Sequence, residues 1–326
     1  MDTPTNFKTL EIIKLQKHSF NMRLYSLLIF TTLLFCCCAC KNTRPSEGPS
    51  LQDELYALVD TVPGTVGIAF ICDNDTATVN NGVKYPMMSV FKFHQALGVA
   101  ETVEKRGNTL DSMLLVHSNE LDRNTWSPML KKYPEGDFNI SISELLSYAI
   151  TKSDNNASNL MFKHILSPGE TNDFVKSIAR DTTFQIRYSE SEMKAKHPLS
   201  YLNCTSPLAA ASLMRQVFEE QLVDAAAQDS IRHYLSIVTT GHDRLGAAVE
   251  DADIMIFAHK TGSGYRNEAG ELMAHNDVGY FRLKDGRSYS LAVFIRDFRG
   301  SEEEASAVIA NISKCVYNRF KNPPMR

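Results

Sequence analysis

Tyr85-Pro86-Met87-Met88-Ser89-Val90-Phe91-Lys92-Phe93-His94-Gln95-Ala96-Leu97 is the stretch from which the rest of the chain can be organised. Tyr85-Pro86 reads as a turn, and a helix follows over Phe91 to Glu104. Its apolar positions Val90, Phe93, Leu97 and Ala100 recur at three- and four-residue steps, which puts them on one helical face. Ser89 and Lys92 then stand one turn apart on a shared face, so the amine can reach the hydroxyl. Ser89 also falls at the helix N-terminus, where backbone N–H groups favour developing negative charge. A serine hydroxyl needs a neighbour that takes its proton before it can act as a nucleophile, and this spacing supplies one. An exposed Ser and Lys on an ordinary helix would give the same four letters. Ser191-Glu192-Met193-Lys194 repeats them further along.

Two more segments give the first its weight. Ser153-Asp154-Asn155 lies between the apolar run Ile142, Leu145, Leu146, Ala149, Ile150 and a second helix-like stretch from Asn156 to Phe162. Residues of these types between two helices form a turn and an N-cap, with Asp154 as the structural member. Ser153 could in addition relay a proton to a leaving nitrogen, and Asn155 could hold a substrate amide. Lys260-Thr261-Gly262-Ser263 follows the strand-like run Ile254 to Ala258. A cation with hydroxyls suits a carboxylate, and a glycine lets a ligand lie against the backbone. The Ser263 N–H could join that of Ser89 as an oxyanion hole. Taken alone, this segment is a strand ending in a glycine-rich turn.

In this order, Ser-x-x-Lys, Ser-Asp-Asn and Lys-Thr-Gly are the motifs of the serine penicillin-recognising enzymes. The chain resembles that group, and within it the class A β-lactamases of the cefoxitin-type (CfxA-like) branch. The likeness is carried by residues 85–92, Thr125-Trp126-Ser127-Pro128-Met129-Leu130, residues 153–162 and Ala258-His259-Lys260-Thr261-Gly262-Ser263-Gly264-Tyr265. It runs from about residue 50 to the C-terminus. The resemblance implies hydrolysis of the β-lactam ring of penicillins and cephalosporins through an acyl-enzyme on Ser89, without metal or cofactor. Lys92 and Glu190 would share the base role, Glu190 acting through a water, with Glu192 as its competitor. Ser153 would be catalytic, and Asn155, Lys260, Thr261, Gly262 and Ser263 would bind substrate. Trp126 would be the aromatic at the cleft mouth; a Trp of the core is the alternative. A D-alanyl peptidase or transpeptidase, or a penicillin sensor that stays acylated, would carry the same three motifs.

The chain departs from that family at three points. Lys194 stands where an Asn often helps hold the water. Tyr188, with Arg187 before it, replaces the Arg that tethers the loop of the glutamate. Ala274-His275-Asn276-Asp277 lacks the Arg used on the substrate carboxylate, and His275 falls near that place.

Composition sets the remaining bounds. The 326 residues are 43% hydrophobic and 22% charged, an ordinary globular balance. A net charge of −4 leaves no electrostatic footprint for nucleic acid, and the nine His are scattered rather than spaced as zinc ligands. A lipid anchor is the only partner expected besides the small-molecule substrate, and the expected state is a monomer. Residues 1–40 read as a signal segment whose true start could be Met22, with Arg23 ahead of the apolar stretch Leu24 to Ala39. Cys36, Cys37, Cys38 and Cys40 close it, and Cys40 is the candidate for lipidation; a plain cleaved signal is the alternative. Either way the protein is expected to be exported, to the periplasm or to a membrane anchor there. Residues 41–53 read as a tether. Cys72, Cys204 and Cys315 remain, an odd number that argues for free thiols.

The expected fold is α+β / α/β in two parts. Strand-like runs at 66–72, 76–80, 254–260, 277–283 and 288–297 imply an antiparallel sheet built from both chain ends, with a final amphipathic helix over 301–320. The expected sheet part is about 54–104 and 241–326, the helical part about 105–240, and the cleft between them should hold the site.

Overall fold

The computed structural model describes residues 48–249 and 252–321. The expected signal segment, Met22 and Cys40 lie outside the described residues. The chain from Ser50 onward forms one compact unit.

Its first helix, α1 (Leu51–Val59), begins inside the stretch expected to be tether. Ser50 and Asp53 form a reciprocal capping box: the Ser50 Oγ accepts from the Asp53 N–H at 3.2 Å, and the Asp53 carboxylate accepts from the Ser50 N–H at 3.0 Å. Polar residues that read as linker are here a helix start. The strands are β1 (Thr65–Cys72), β2 (Asp75–Val79), β3 (Tyr85–Pro86), β4 (Met113–Val116) and β5 (Phe138–Ser141). They continue with β6 (Phe184–Gln185), β7 (Cys204–Thr205), β8 (Ile254–Ser263), β9 (His275–Leu283) and β10 (Ser288–Arg296). After α1 come α2 (Phe91–Lys105), α3 (Ile142–Thr151), α4 (Asn155–His164), α5 (Pro168–Ile178) and α6 (Glu190–Ala195). The last three helices are α7 (Pro207–Glu219), α8 (Ala225–Ser236) and α9 (Glu302–Lys321).

The main sheet has the order β2-β1-β10-β9-β8 and is antiparallel throughout, built from both ends of the chain as expected. It is covered on both faces, which is why its strands read as nearly continuous apolar runs. Along β1, Ile68 and Phe70 point to the core under α1 and α9, while Ala69 and Ile71 point to the helical core. On α9 the buried residues Ala305, Ile309, Ile312, Val316 and Phe320 form the single apolar stripe that lies on the sheet.

Helix α2 differs from its expected placement with the sheet. It is buried all round from Phe91 to Ala100 and packs against α3, α4, α5 and α8. A helix buried on every side, here with the polar Lys92, His94 and Gln95 enclosed as well, is a central core helix and the axis of the helical part. That part also holds two small sheets that the helical reading left out. In one, β7 pairs with both β3 and β6. The loop from 186 to 203 is therefore closed at its neck by β6 and β7. It hangs on Tyr85-Pro86, which is a short strand just ahead of Ser89 and not the turn its residues suggest.

Candidate active site

Ser89 sits in the 3-10 turn Met88–Val90, which runs straight into α2. Met88 has φ +45°, a left-handed conformation that is strained for a residue with a side chain and is held only by its surroundings. Lys92, one turn on, is fully buried. Its Nζ donates to the Ser89 Oγ at 2.9 Å, the Ser153 carbonyl at 2.8 Å and the Asn155 Oδ1 at 2.7 Å, and it pairs with the Glu190 Oε1 at 2.9 Å. An ammonium has three protons for these four acceptors, so it shares them.

Glu190 opens α6 and is 5% exposed. Its Oε1 accepts from the Ser89 Oγ at 3.0 Å, which puts the carboxylate in direct reach of the nucleophile. Glu192 lies elsewhere: its carboxylate accepts from the Ser189 N–H and Oγ, both at 2.8 Å, as the capping box of α6. The Arg tether missing from this loop is replaced by Asn203. Its Oδ1 accepts from the Arg187 and Tyr188 N–H groups at 2.8 and 3.0 Å, and its Nδ2 donates to the Tyr188 carbonyl at 2.7 Å. Lys194, one turn after Glu190, pairs with Asp122 across the cleft.

The second motif joins α3 to α4. Ser153 has φ +55°, and this turn offers its carbonyl to Lys92 and its Oγ to Lys260, whose Nζ donates to it at 3.0 Å. Asp154 is the N-cap of α4 and also accepts from the Met129 N–H at 2.7 Å and the Ser127 Oγ at 2.9 Å. It ties 127–129 to the motif and faces away from the cleft chemistry. The Asn155 Nδ2 donates to the Thr125 Oγ1 at 3.0 Å, and its N–H donates to the Trp126 carbonyl. Trp126 is 62% exposed, so it stands at the cleft mouth and not in the core.

The third motif is the end of β8, which continues to Ser263 because Gly262 and Ser263 pair with Asn276 and His275. Burial, and next the positive charge of Lys92, hold the Lys260 pKa well below the usual lysine range. The Thr261 Oγ1 lies 2.6 Å from the Thr240 Oγ1. Gly262 was expected to give a ligand access to the backbone. A Cβ there would lie 2.5 Å from the Met87 carbonyl oxygen, so the glycine also lets β8 close against the turn of Ser89. That contact sets the end of the third motif against the turn that carries Ser89.

Sequence reasoning missed Arg244. It precedes the short turn Leu245–Ala248 between α8 and β8, is largely buried, and points its guanidinium into the site. Its Nη2 donates to the Ser263 Oγ at 2.7 Å and its Nη1 to the Asn276 carbonyl at 2.8 Å. His275, considered as a stand-in for the absent arginine, is buried; its Nε2 lies 2.9 Å from the Ser306 Oγ, and burial pushes its pKa down to about 3. A neutral imidazole there is not a carboxylate receptor. No local motif announces Arg244; only the fold carries it to Ser263.

Ser89, Ser153, Glu190, Thr261, Ser263 and Arg244 line one cavity of about 510 Å³, with Trp126 and Tyr265 at its walls. A hydroxyl pinned between an ammonium and a carboxylate, in one cavity with a guanidinium, can attack a carbonyl that carries an acid group nearby.

The family profile described as the beta-lactamase enzyme family matches residues 50–320. A β-lactamase of Phocaeicola vulgatus is 45% identical over 281 residues, covering 85% of this chain and 88% of its own. The extended-spectrum β-lactamase PER-1 of Pseudomonas aeruginosa is 30% identical over 275 residues, covering 83% and 88%. Among solved structures, a class A β-lactamase of Bacteroides cellulosilyticus superposes with a TM-score of 0.77 at 33% identity, covering 83% of this chain and 96% of that one. With the whole catalytic unit matched, the three motifs and the fold that assembles them have one family between them: this chain is a class A member of the serine β-lactamases.

Proposed function

We propose that the protein hydrolyses the β-lactam ring through an acyl-enzyme on Ser89 and so confers resistance to β-lactam antibiotics. The observation that carries this is the double contact of the Ser89 Oγ, with the Lys92 Nζ at 2.9 Å and the Glu190 Oε1 at 3.0 Å. Lys92 donates in this arrangement, which favours Glu190 as the group that takes the Ser89 proton. The Oγ adds to the lactam carbonyl carbon, and the oxyanion is held by the Ser89 and Ser263 N–H groups. Ser153, bridged to Lys260, passes a proton to the lactam nitrogen as the C–N bond breaks. The proton that Glu190 took from Ser89 returns through Lys92 to the Ser153 oxygen, so that Glu190 is a carboxylate again before the water arrives. A water then enters between Glu190 and the ester, gives its proton to Glu190 and attacks, and the Ser89 alkoxide leaves with a proton returned to it. Arg244, Ser263 and Thr261 would hold the substrate carboxylate, Asn155 its side-chain amide, and Trp126 its ring system.

Cephalosporins are the proposed good substrates, a reading that rests on the resemblance of residues 85–92, 125–130, 153–162 and 258–265 to the cefoxitin-type branch. Mixing the pure protein with a chromogenic cephalosporin tests the whole reading. Sustained turnover is expected; one equivalent of colour followed by a plateau would instead identify a penicillin sensor.

A defending hydrolase must meet its substrate outside the cytoplasmic membrane, and the apolar stretch ending at Cys40 supports export to the periplasm with Cys40 as the lipidated residue. Cys40→Ser should move the activity from the membrane fraction to the soluble periplasm; a wild-type enzyme already soluble there, with no lipid on its mature N-terminus, would remove the anchor.

A further inference from the structure

The turn that carries Ser89 is held from behind by a side chain outside the three motifs. Asn276 lies on β9 opposite Gly262 and is fully buried. Its Nδ2 donates to the Pro86 carbonyl at 2.8 Å and approaches the Met87 carbonyl at 3.3 Å. Two carbonyl acceptors fix which end of the amide points to the turn. Its Oδ1, equally buried, has no hydrogen-bond partner. A buried acceptor left unpaired is costly, so it is the donor half of this side chain that the position uses.

The peptide it holds is gripped on its other side as well. The Met87 N–H donates to the Asn203 carbonyl at 2.8 Å, and Gly262 packs its bare Cα against the Met87 oxygen. The next residue is Met88, in its left-handed conformation, and the next is Ser89. A strained turn persists only when its surroundings over-determine it, and Asn276 is one of the groups that do so. The Asn276 carbonyl accepts from the Arg244 Nη1 at 2.8 Å, so one residue joins the guanidinium to the nucleophile's turn.

We propose that Asn276 is a positioning residue for acylation: by holding the Pro86 and Met87 carbonyls it aims the Ser89 Oγ and N–H at the scissile carbonyl. The inference rests on acylation of Ser89. It does not require that the ester be hydrolysed.

The test is the acylation rate constant of the Ser89 ester, read by stopped flow with a chromogenic cephalosporin and normalised to active sites by the burst amplitude. Asn276→Leu keeps the shape and removes both donors; Asn276→Ala, smaller, serves if the leucine does not fold. Ser290→Val removes a buried hydroxyl of β10 that has no hydrogen-bond partner, and controls for general weakening of the sheet. The Asn276 variants should acylate at least about 10-fold more slowly per active site, since a misplacement of about 1 Å costs on the order of 10²-fold. The dissociation constant of the first complex should stay within about threefold, because the carbonyl that Arg244 uses is retained. A role in stability alone would lower the burst amplitude and leave the rate per active site unchanged. That result, or an equal loss in Ser290→Val, overturns the proposal. A wild-type protein that acylates and then stalls would refute hydrolysis and leave this comparison readable.

Discussion

The Arg244 Nη2 donates to the Ser263 Oγ at 2.7 Å, which puts a guanidinium from the loop before β8 at the end of the third motif. Two aspartates, Asp277 and Asp243, counter the burial that opposes its charge. A charge-assisted, bidentate-capable donor at this point is suited to a planar anion.

Arg244→Ala should therefore weaken binding of carboxylate-bearing β-lactams more than it slows their chemistry. Hydrogen bonds to charged groups contribute about 1.5–3 kcal/mol, so KM should rise roughly 10- to 100-fold with a smaller change in kcat. Steady-state kinetics on one penicillin and one cephalosporin decide it. Unchanged KM for both would remove Arg244 from the substrate site.

Ser89→Ala and Glu190→Gln should fail at different steps. Without the serine, penicillin leaves no covalent mass on the protein. Without the Glu190 carboxylate, Lys92 at 2.9 Å remains as a slower base for acylation, so the acyl-enzyme should still form and then accumulate, visible as a stable mass increase, with turnover down by about 10²-fold or more. Glu192→Gln should turn over normally, because Glu192 is committed to the cap of α6. Trapping by the Glu192 variant and not by the Glu190 variant would reverse the assignment.

Asn203→Leu should loosen the loop that carries Glu190. It removes three hydrogen bonds to the Arg187 and Tyr188 backbones and leaves those groups short of partners. A loss of about 2–4 kcal/mol is expected, at roughly 1 kcal/mol for each bond plus the unmet backbone groups. Deacylation should slow more than acylation. Urea denaturation and intact-protein mass during turnover measure the two effects, and a variant as stable and fast as the wild type would rule out the clasp.

Acid should destabilise the fold through His94. It is fully buried between Phe93 and Phe184, and burial lowers its pKa from 6.5 to about 3, partly opposed by the Val90 backbone. Above about pH 6.5 both folded and unfolded chains hold it neutral, and it adds no pH dependence. Between 6.5 and 3 only the unfolded chain takes up the proton, so stability falls as pH drops, by up to about 1.4 kcal/mol per unit. His275, also held down to about 3, acts in the same direction. His94→Leu should reduce the slope of stability against pH between 6 and 4 by up to one proton. Equal slopes in variant and wild type would exclude His94 as a source.

What was legible in the sequence was local. Ser89 and Lys92 share a helical turn, Asp154 caps α4, and β8 ends in its own motif, so short spacings locate each piece. The residues that join the pieces were not legible. Arg244 reaches Ser263, and Asn203 reaches Tyr188, only after the chain has folded, and neither sits in a periodic or repeated pattern. The packing role of Gly262 was hidden for the same reason: the Met87 carbonyl that it closes on is far away in sequence. Ser50 and Asp53 were misread because a capping box uses the same polar letters as a linker, and Tyr85-Pro86 because a two-residue strand has no period to detect.

The Asn203 clasp has a consequence for the solvents the protein can tolerate. An ion pair that tethers a loop weakens as dissolved salt screens its charges. An amide bonded to backbone groups offers screening nothing to act on. The neck of the loop that carries Glu190 should keep its hold in brine, even where salt screens the loop's Lys194–Asp122 pair.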